Sequence, residues 1–183
     1  MTSVSTEREP RVLVACIGSS LICDDRVGEA VYEELTRTRL PAGTRVVHLG
    51  VGGAELVDML GAEDLLIVVD ALRIGARPGT VHVLDWLEPE GTPALAHEGA
   101  TPGLAHEGAT PALAHDVGVP QALELTRLLY PERAPRRVVL VGVQGRCFDR
   151  LGAMSSEVAA AVDQATATVV DLAKRAKSAS SRS

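Results

Sequence analysis

Aromatic side chains are scarce in this sequence, at 2% of its 183 residues. Recognition of bases or sugars by stacking needs such rings, so we do not expect this mode of binding. An excess of basic residues is also missing, because the formal net charge is -6 at pH 7. Nucleic-acid binding needs clustered Lys and Arg side chains for the phosphates, and we therefore predict no nucleic-acid partner.

Long apolar segments are absent as well. The longest apolar runs are too short to cross a bilayer, and residues 1–10 contain no apolar signal segment. The three cysteines, Cys16, Cys23 and Cys147, are an odd number with no paired spacing, which favours reduced thiols over a disulfide framework. We therefore predict a cytoplasmic protein without a membrane partner, in which Cys16 and Cys23 are packing residues.

The composition is that of one globular domain. Hydrophobic residues make up 46% of the chain and charged residues 23%, which suits a domain with a sizeable core. We expect a single domain over residues 1–177, an irregular insert at about residues 88–114, and a disordered polar tail over residues 178–183.

The insert consists of a nine-residue repeat. Its three copies begin at Thr92, Thr101 and Thr110, and each contains one histidine (His97, His106 or His115). Three short copies do not make a solenoid, and we interpret them as a tandem duplication tolerated in a surface loop. The third copy leads into a predicted helix, which makes its histidine the best placed of the three to be held rigidly.

Strand-like and helix-like segments alternate along the chain. Apolar or alternating runs predict strands at about residues 12–17, 44–49, 65–70, 81–84 and 137–143, and helical periodicity predicts helices at about 26–39, 54–60, 121–129 and from 155 onward. Unbroken apolar runs are typical of strands that are buried on both faces. The pattern therefore predicts an α/β fold, a three-layer α/β/α sandwich with a mostly parallel twisted sheet.

Two carboxylates are expected at one edge of that sheet. Asp25 follows the first strand in a short loop, and Asp70 directly ends the third strand. In parallel sheets, ligands bind beyond the carboxyl ends of the strands, so these side chains should meet at a crevice. His115 is the most suitable third member.

This set of side chains permits two kinds of chemistry. Two carboxylates and an imidazole suit zinc, nickel, manganese or iron and leave coordination positions open. Without a metal, two close carboxylates can share a proton and act as general acid and base. A purely structural role is the alternative, since Asp24 or Asp25 in a strand-to-helix loop often caps a helix.

Common nucleotide and hydrolase motifs are missing. The loop Gly18-Ser19-Ser20-Leu21 is neither a dinucleotide-binding nor a phosphate-binding loop, and no GxSxG or HExxH motif occurs. A response-regulator receiver domain is a competing interpretation, because it has an acidic pair after its first strand and a phosphoacceptor Asp after its third. Here the acidic pair lies further from the strand, and no lysine follows the last strand.

Several segments resemble the nickel–iron hydrogenase maturation endopeptidases, in the same order and over most of residues 11–174. The segments that carry the resemblance are Ile17-Gly18-Ser19-Ser20-Leu21-Ile22-Cys23-Asp24-Asp25-Arg26-Val27-Gly28, the turn Gly52-Gly53, Val68-Val69-Asp70-Ala71 with Arg77-Pro78-Gly79-Thr80, Ala114-His115-Asp116-Val117-Gly118-Val119-Pro120, Val139-Leu140-Val141-Gly142-Val143-Gln144, and Leu151-Gly152-Ala153-Met154-Ser155-Ser156-Glu157-Val158.

The resemblance implies a phosphorylase/hydrolase-like fold and a specific activity. It implies a cytoplasmic endopeptidase, grouped with the aspartic type, that removes the C-terminal peptide of the hydrogenase large-subunit precursor after nickel insertion. Carried over, Asp25, Asp70 and His115 would be both catalytic residues and ligands of nickel, most simply the nickel of the substrate, with other divalent metals as alternatives. The repeat leaves open whether His97 or His106 replaces His115, and a non-catalytic metal-dependent binding module is the second hypothesis.

Overall fold

The computed structural model describes residues 10–85 and 118–180. The strands are β1 (Val12–Cys16), β2 (Thr44–His48), β3 (Leu65–Leu72), β4 (Val81–Asp85) and β5 (Val138–Gln144). The α-helices are α1 (Val27–Arg37), α2 (Ala54–Met59), α3 (Val119–Leu129) and α4 (Ser156–Ser180), with 3-10 helices at Cys23–Arg26 and Pro131–Arg133.

The five strands form one sheet in the order β2-β1-β3-β5-β4. All neighbouring pairs are parallel except β4 with β5, which is antiparallel. The predicted mostly parallel sheet is confirmed, and the alternating segment from Val81 forms the antiparallel edge. This order differs from the 2-1-3-4-5 order that is typical of receiver domains.

Helices cover both faces of the sheet, which confirms the predicted three-layer architecture. Alternate residues of β1, β3 and β5 point to opposite faces, so each strand contributes to two separate cores. One core packs against α1 and α4, and the other against α2 and α3. Burial of both faces is the physical reason why these strands are unbroken apolar runs.

The end of α4 differs from the bound expected from the sequence. Helix α4 continues to Ser180 and so includes the first residues of the predicted tail. The predicted insert at residues 88–114 and all three repeat histidines lie outside the described residues. Among the helices that are described, none combines the length and the hydropathy that a membrane span requires.

Candidate active site

Asp70 lies in β3 at the carboxyl edge of the sheet. It is the first polar residue after five buried ones, and it pairs in register with Gly142 of β5. One carboxylate oxygen accepts a hydrogen bond from the backbone N–H of Ala71 at 2.7 Å. The side chain points to the face that α2 and α3 cover, where it lines a cleft together with Val119 of α3.

Asp25 is held at the same edge by the loop that follows β1. The backbone N–H of Ile17 donates to Val69, the neighbour of Asp70, at 2.8 Å. The next residue, Gly18, has φ +134°, and a Cβ there would collide with the carbonyl oxygen of Asp25. The N–H of Ser19 donates to the Asp25 carboxylate at 2.7 Å. Glycine therefore lets the acidic turn fold back onto the end of β1.

The charge of Asp25 acts on the carboxyl group of Asp70. Burial is the main reason why the pKa of Asp70 is raised to about 7; the negative charge of Asp25 contributes to the rise, and the hydrogen bond from the N–H of Ala71 opposes it. The sequence predicts that these residues meet at a crevice; in the structure Asp70 lines the cleft, and the charge of Asp25 acts on it. At neutral pH, Asp70 is poised between its protonated and ionised forms.

The raised pKa of Asp70 predicts a pH-dependent stability. Between about pH 4 and pH 7 the folded state holds a proton that the unfolded state releases, so this group lowers stability as pH rises. A shift from 3.8 to about 7 corresponds to a penalty of up to about 4 kcal/mol above pH 7. We expect Asp70→Asn to match wild type near pH 4 and to be more stable at pH 8, as measured by urea unfolding.

The exposed Asp163 of α4 provides the control for this experiment. Asp163→Asn should leave the difference from wild type nearly constant across the same pH range. An Asp70→Asn variant that is no more stable than wild type at pH 8 would contradict the raised pKa.

The cleft beside Asp70 has a volume of about 310 Å³, and it lies between the starts of α2 and α3. Gly53 precedes α2 and Gly118 precedes α3, and a Cβ on Gly53 would collide with the backbone of Gly118. This close approach fixes the beginning of α3 at the cleft. His115 comes three residues before Gly118 in the sequence and lies outside the described residues, so its predicted role stays a prediction.

Asp24 has a different role from the predicted helix cap. Neither Asp24 nor Asp25 caps the 3-10 helix or α1 with its side chain. Asp24 is fully buried and accepts backbone hydrogen bonds from Arg146 (2.7 Å), Cys147 (2.9 Å) and Ser155 (2.6 Å). Burial alone would raise the pKa of Asp24, but these N–H donors outweigh it and hold the pKa below its usual value.

The prediction of reduced thiols is wrong for two of the three cysteines. Cys23 and Cys147 form a disulfide, with their Cα atoms 5.6 Å apart. Cys16 is free and buried in β1, as predicted. The pair is 124 residues apart in sequence, and only the folding of the loop after β5 onto the acidic turn brings the two sulfurs together. No local spacing pattern records such a contact.

Gln144 is a supporting residue that the sequence reasoning missed. It ends β5 and is buried, and its side-chain oxygen accepts hydrogen bonds from the N–H groups of Ile74 (3.0 Å) and Ala76 (3.3 Å). It thereby orders the loop that follows Asp70. A polar residue directly after a buried apolar run was the available signal, since Asp70 was selected on the same ground.

A larger cleft, of about 640 Å³, lies at the opposite edge of the sheet. Its buried acid, Glu63, is held by the Arg45 guanidinium at 3.0 Å and by the N–H of Gly61 at 2.8 Å. These partners satisfy the carboxylate within the fold. We therefore assign Glu63 a structural role and place the candidate site at Asp25 and Asp70.

The donor set at the sheet edge fits a divalent cation. Among the described residues, no three His, Cys, Asp or Glu side chains group closely enough to hold a metal. Asp25 and Asp70 supply two carboxylates, so a cation bound there would need further ligands from outside this pair. Two like charges that destabilise each other are a suitable environment for a cation, because the cation relieves their repulsion.

Comparison with known proteins finds hydrogenase maturation proteins that are similar to this chain. A family model described as hydrogenase maturation protease matches residues 30–90, a range that contains Asp70. A candidate hydrogenase maturation protease of Methanocaldococcus jannaschii is 28% identical over 90% of this chain and 97% of its own length. The hydrogenase expression/formation protein HupM of Azotobacter chroococcum is 38% identical, over 43% of this chain and 38% of its own length.

Solved structures share the fold over most of the chain. The hydrogenase maturating endopeptidase HybD from E. coli superposes with a TM-score of 0.71 at 25% identity, covering 90% of this chain and 93% of that one. The [NiFe] hydrogenase maturation protease HycI from Thermococcus kodakarensis has a TM-score of 0.66 at 17% identity, covering 91% and 94% of the two chains, and supports the fold alone. The matching family model, the full-length relative and the shared fold together make this chain similar to hydrogenase maturation proteases.

Proposed function

We propose that this chain is an endopeptidase that removes the C-terminal peptide of a nickel–iron hydrogenase large-subunit precursor after nickel has been inserted. The observation that carries the proposal is the placement of Asp25 and Asp70 at one sheet edge, where the charge of Asp25 acts on Asp70. The similarity to hydrogenase maturation proteases supports the substrate class. The cytoplasmic location expected from the sequence is part of this proposal.

The nickel of the precursor would be bound by Asp25, Asp70 and His115. Carboxylate oxygens and an imidazole nitrogen are suitable ligands for divalent nickel, and three protein ligands leave positions for groups of the substrate. A metal at this site would polarise a carbonyl or acidify a bound water. Because only a nickel-loaded precursor presents the ion, the same residues would act as a sensor of complete nickel insertion.

The chain's own residues have separate parts in this proposal. Asp70, with its pKa near neutrality, can hold or release a proton at the sheet edge, and this is the basis for the aspartic-type assignment. The N–H of Ser19 fixes one oxygen of Asp25 and leaves the rest of the carboxylate available. The cleft between α2 and α3 offers an apolar wall against which the precursor's chain can lie.

Processing of a purified precursor tests the proposal. We expect a nickel-loaded large-subunit precursor to lose its C-terminal peptide in the presence of the protein, and a nickel-free precursor to keep it, as measured by mass spectrometry of the intact precursor. Nickel presented by the precursor completes the site, so the two substrates should differ by at least about a hundredfold in rate.

Two other results would contradict the proposed activity. Stable docking to the nickel-loaded precursor without any cleavage would instead favour the non-catalytic binding module. Labelling of Asp70 by a small phosphoryl donor would favour the receiver-like interpretation, which the strand order already disfavours.

A further inference from the structure

The disulfide joins the acidic turn to the loop that follows β5. Cys23 begins the 3-10 helix that contains Asp24 and Asp25, and Cys147 lies in the loop between β5 and α4. Their Cα separation of 5.6 Å is typical of disulfides. The covalent bond thus lies two residues from one of the two carboxylates of the candidate site.

Non-covalent contacts hold the same junction. Ile22 and Leu151 form an isolated antiparallel bridge. The N–H of Cys23 donates to Arg150 at 3.2 Å, and the N–H of Asp24 donates to Cys147 at 3.0 Å. We therefore expect these contacts to hold the junction when the disulfide is broken, so that reduction loosens it without unfolding the protein.

The two cysteine residues differ in exposure. Cys23 is only 2% exposed, whereas Cys147 is partly exposed. An incoming thiolate can therefore reach the sulfur of Cys147 first. In the cytoplasmic location proposed above, disulfides are usually transient and redox-sensing, because glutathione and thioredoxin keep structural thiols reduced.

We propose that Cys23 and Cys147 are a reversible thiol–disulfide pair that locks the acidic turn carrying Asp25 to the loop between β5 and α4. An external dithiol attacks the sulfur of Cys147, the S–S bond breaks, and Cys23 leaves as a thiolate that takes up a proton. The second thiol of the reagent then attacks the mixed disulfide and releases Cys147 as a thiol. The protein gains two electrons and two protons, and the dithiol becomes a cyclic disulfide.

Equilibration of the full chain in buffers of oxidised and reduced dithiothreitol tests the pair directly. Alkylation under denaturing conditions followed by intact-mass measurement should count one thiol in the oxidised protein and three in the reduced protein. A count of three thiols at every ratio of oxidised to reduced dithiothreitol would overturn the proposal. Cys16→Ala is the matched control, since Cys16 is buried in β1 and lies outside the pair. This variant should have no alkylated thiol when oxidised and two when reduced.

The effect of the disulfide on stability and on the mobility of the acidic turn is measured on the same samples. Removing a disulfide that closes a long loop should lower Tm by roughly 10 °C and should speed amide hydrogen exchange in residues 18–26. Cys147→Ser should resemble the reduced wild type and should not respond to oxidant. Equal Tm values and equal exchange rates in the oxidised and reduced wild type would overturn the lock.

A further experiment measures nickel binding at the candidate site of Asp25 and Asp70, and it rests on the proposed function. Because the lock holds Asp25 in place, we expect nickel to bind the oxidised chain about tenfold more tightly than the reduced chain in calorimetric titration. Equal nickel affinities would overturn the coupling of the lock to the site. Absence of nickel binding in both redox states, together with a redox-dependent Tm, would overturn the metal assignment and leave the disulfide lock intact.

Discussion

The Asp70→Asn variant is expected to process the nickel-loaded precursor at least about a thousandfold more slowly than wild type. The amide keeps the size of the carboxylate but has no negative charge to offer a cation. It also cannot take up and release a proton near neutral pH, as Asp70 can with its pKa of about 7. The measurement is a single-turnover time course of precursor cleavage.

Unfolding does not explain such a loss of activity, because the same variant is expected to be more stable than wild type above pH 7. A gain in stability together with a loss of activity is the usual signature of a strained functional group. Asp163→Asn, on the exposed surface of α4, should cleave at the wild-type rate. Cleavage by Asp70→Asn within tenfold of wild type would remove Asp70 from the site.

The second large effect concerns stability. We expect Asp24→Ala to lower the free energy of unfolding by about 3 to 5 kcal/mol, because the backbone N–H groups of Arg146, Cys147 and Ser155 lose their common acceptor inside the protein. For a chain of this length the corresponding fall in Tm is roughly 10 °C. Urea unfolding of the oxidised protein measures it with the disulfide intact.

The pH dependence of the Asp24 contribution has the opposite sign to that of Asp70. The pKa of Asp24 is lowered in the folded state, so its stabilisation is present above the unfolded pKa and is lost as pH falls through the folded pKa. The deficit of Asp24→Ala should therefore shrink in acid. A deficit below about 1 kcal/mol at pH 7 would contradict the role of Asp24 as the anchor of this loop.

Much of the scaffold was predictable from local pattern. The apolar runs of β1 and β3 are buried on both faces, and a run of that kind has few alternatives to a central strand. A parallel sheet then brings the ends of those strands to one edge, which is why the meeting of Asp25 and Asp70 could be expected. The alternation that begins at Val81 marked the edge strand β4.

The contacts that secure the acidic turn were not predictable in this way. Asp24 binds backbone groups 122 to 131 residues away, and Cys23 bonds to a cysteine 124 residues away. Such pairings depend on how two loops fold against each other after the sheet has formed. Sequence patterning records the period of a helix or strand, and it carries no signal for contacts between distant loops.

A nickel titration of the isolated, oxidised chain tests most directly whether three distant side chains form one site. We expect one ion per chain for wild type, and an affinity at least about tenfold lower for each of Asp25→Ala, Asp70→Ala and His115→Ala. His97→Ala and His106→Ala, which carry the equivalent repeat histidines, should bind as wild type does. Unchanged nickel affinity in the two aspartate variants would contradict the account.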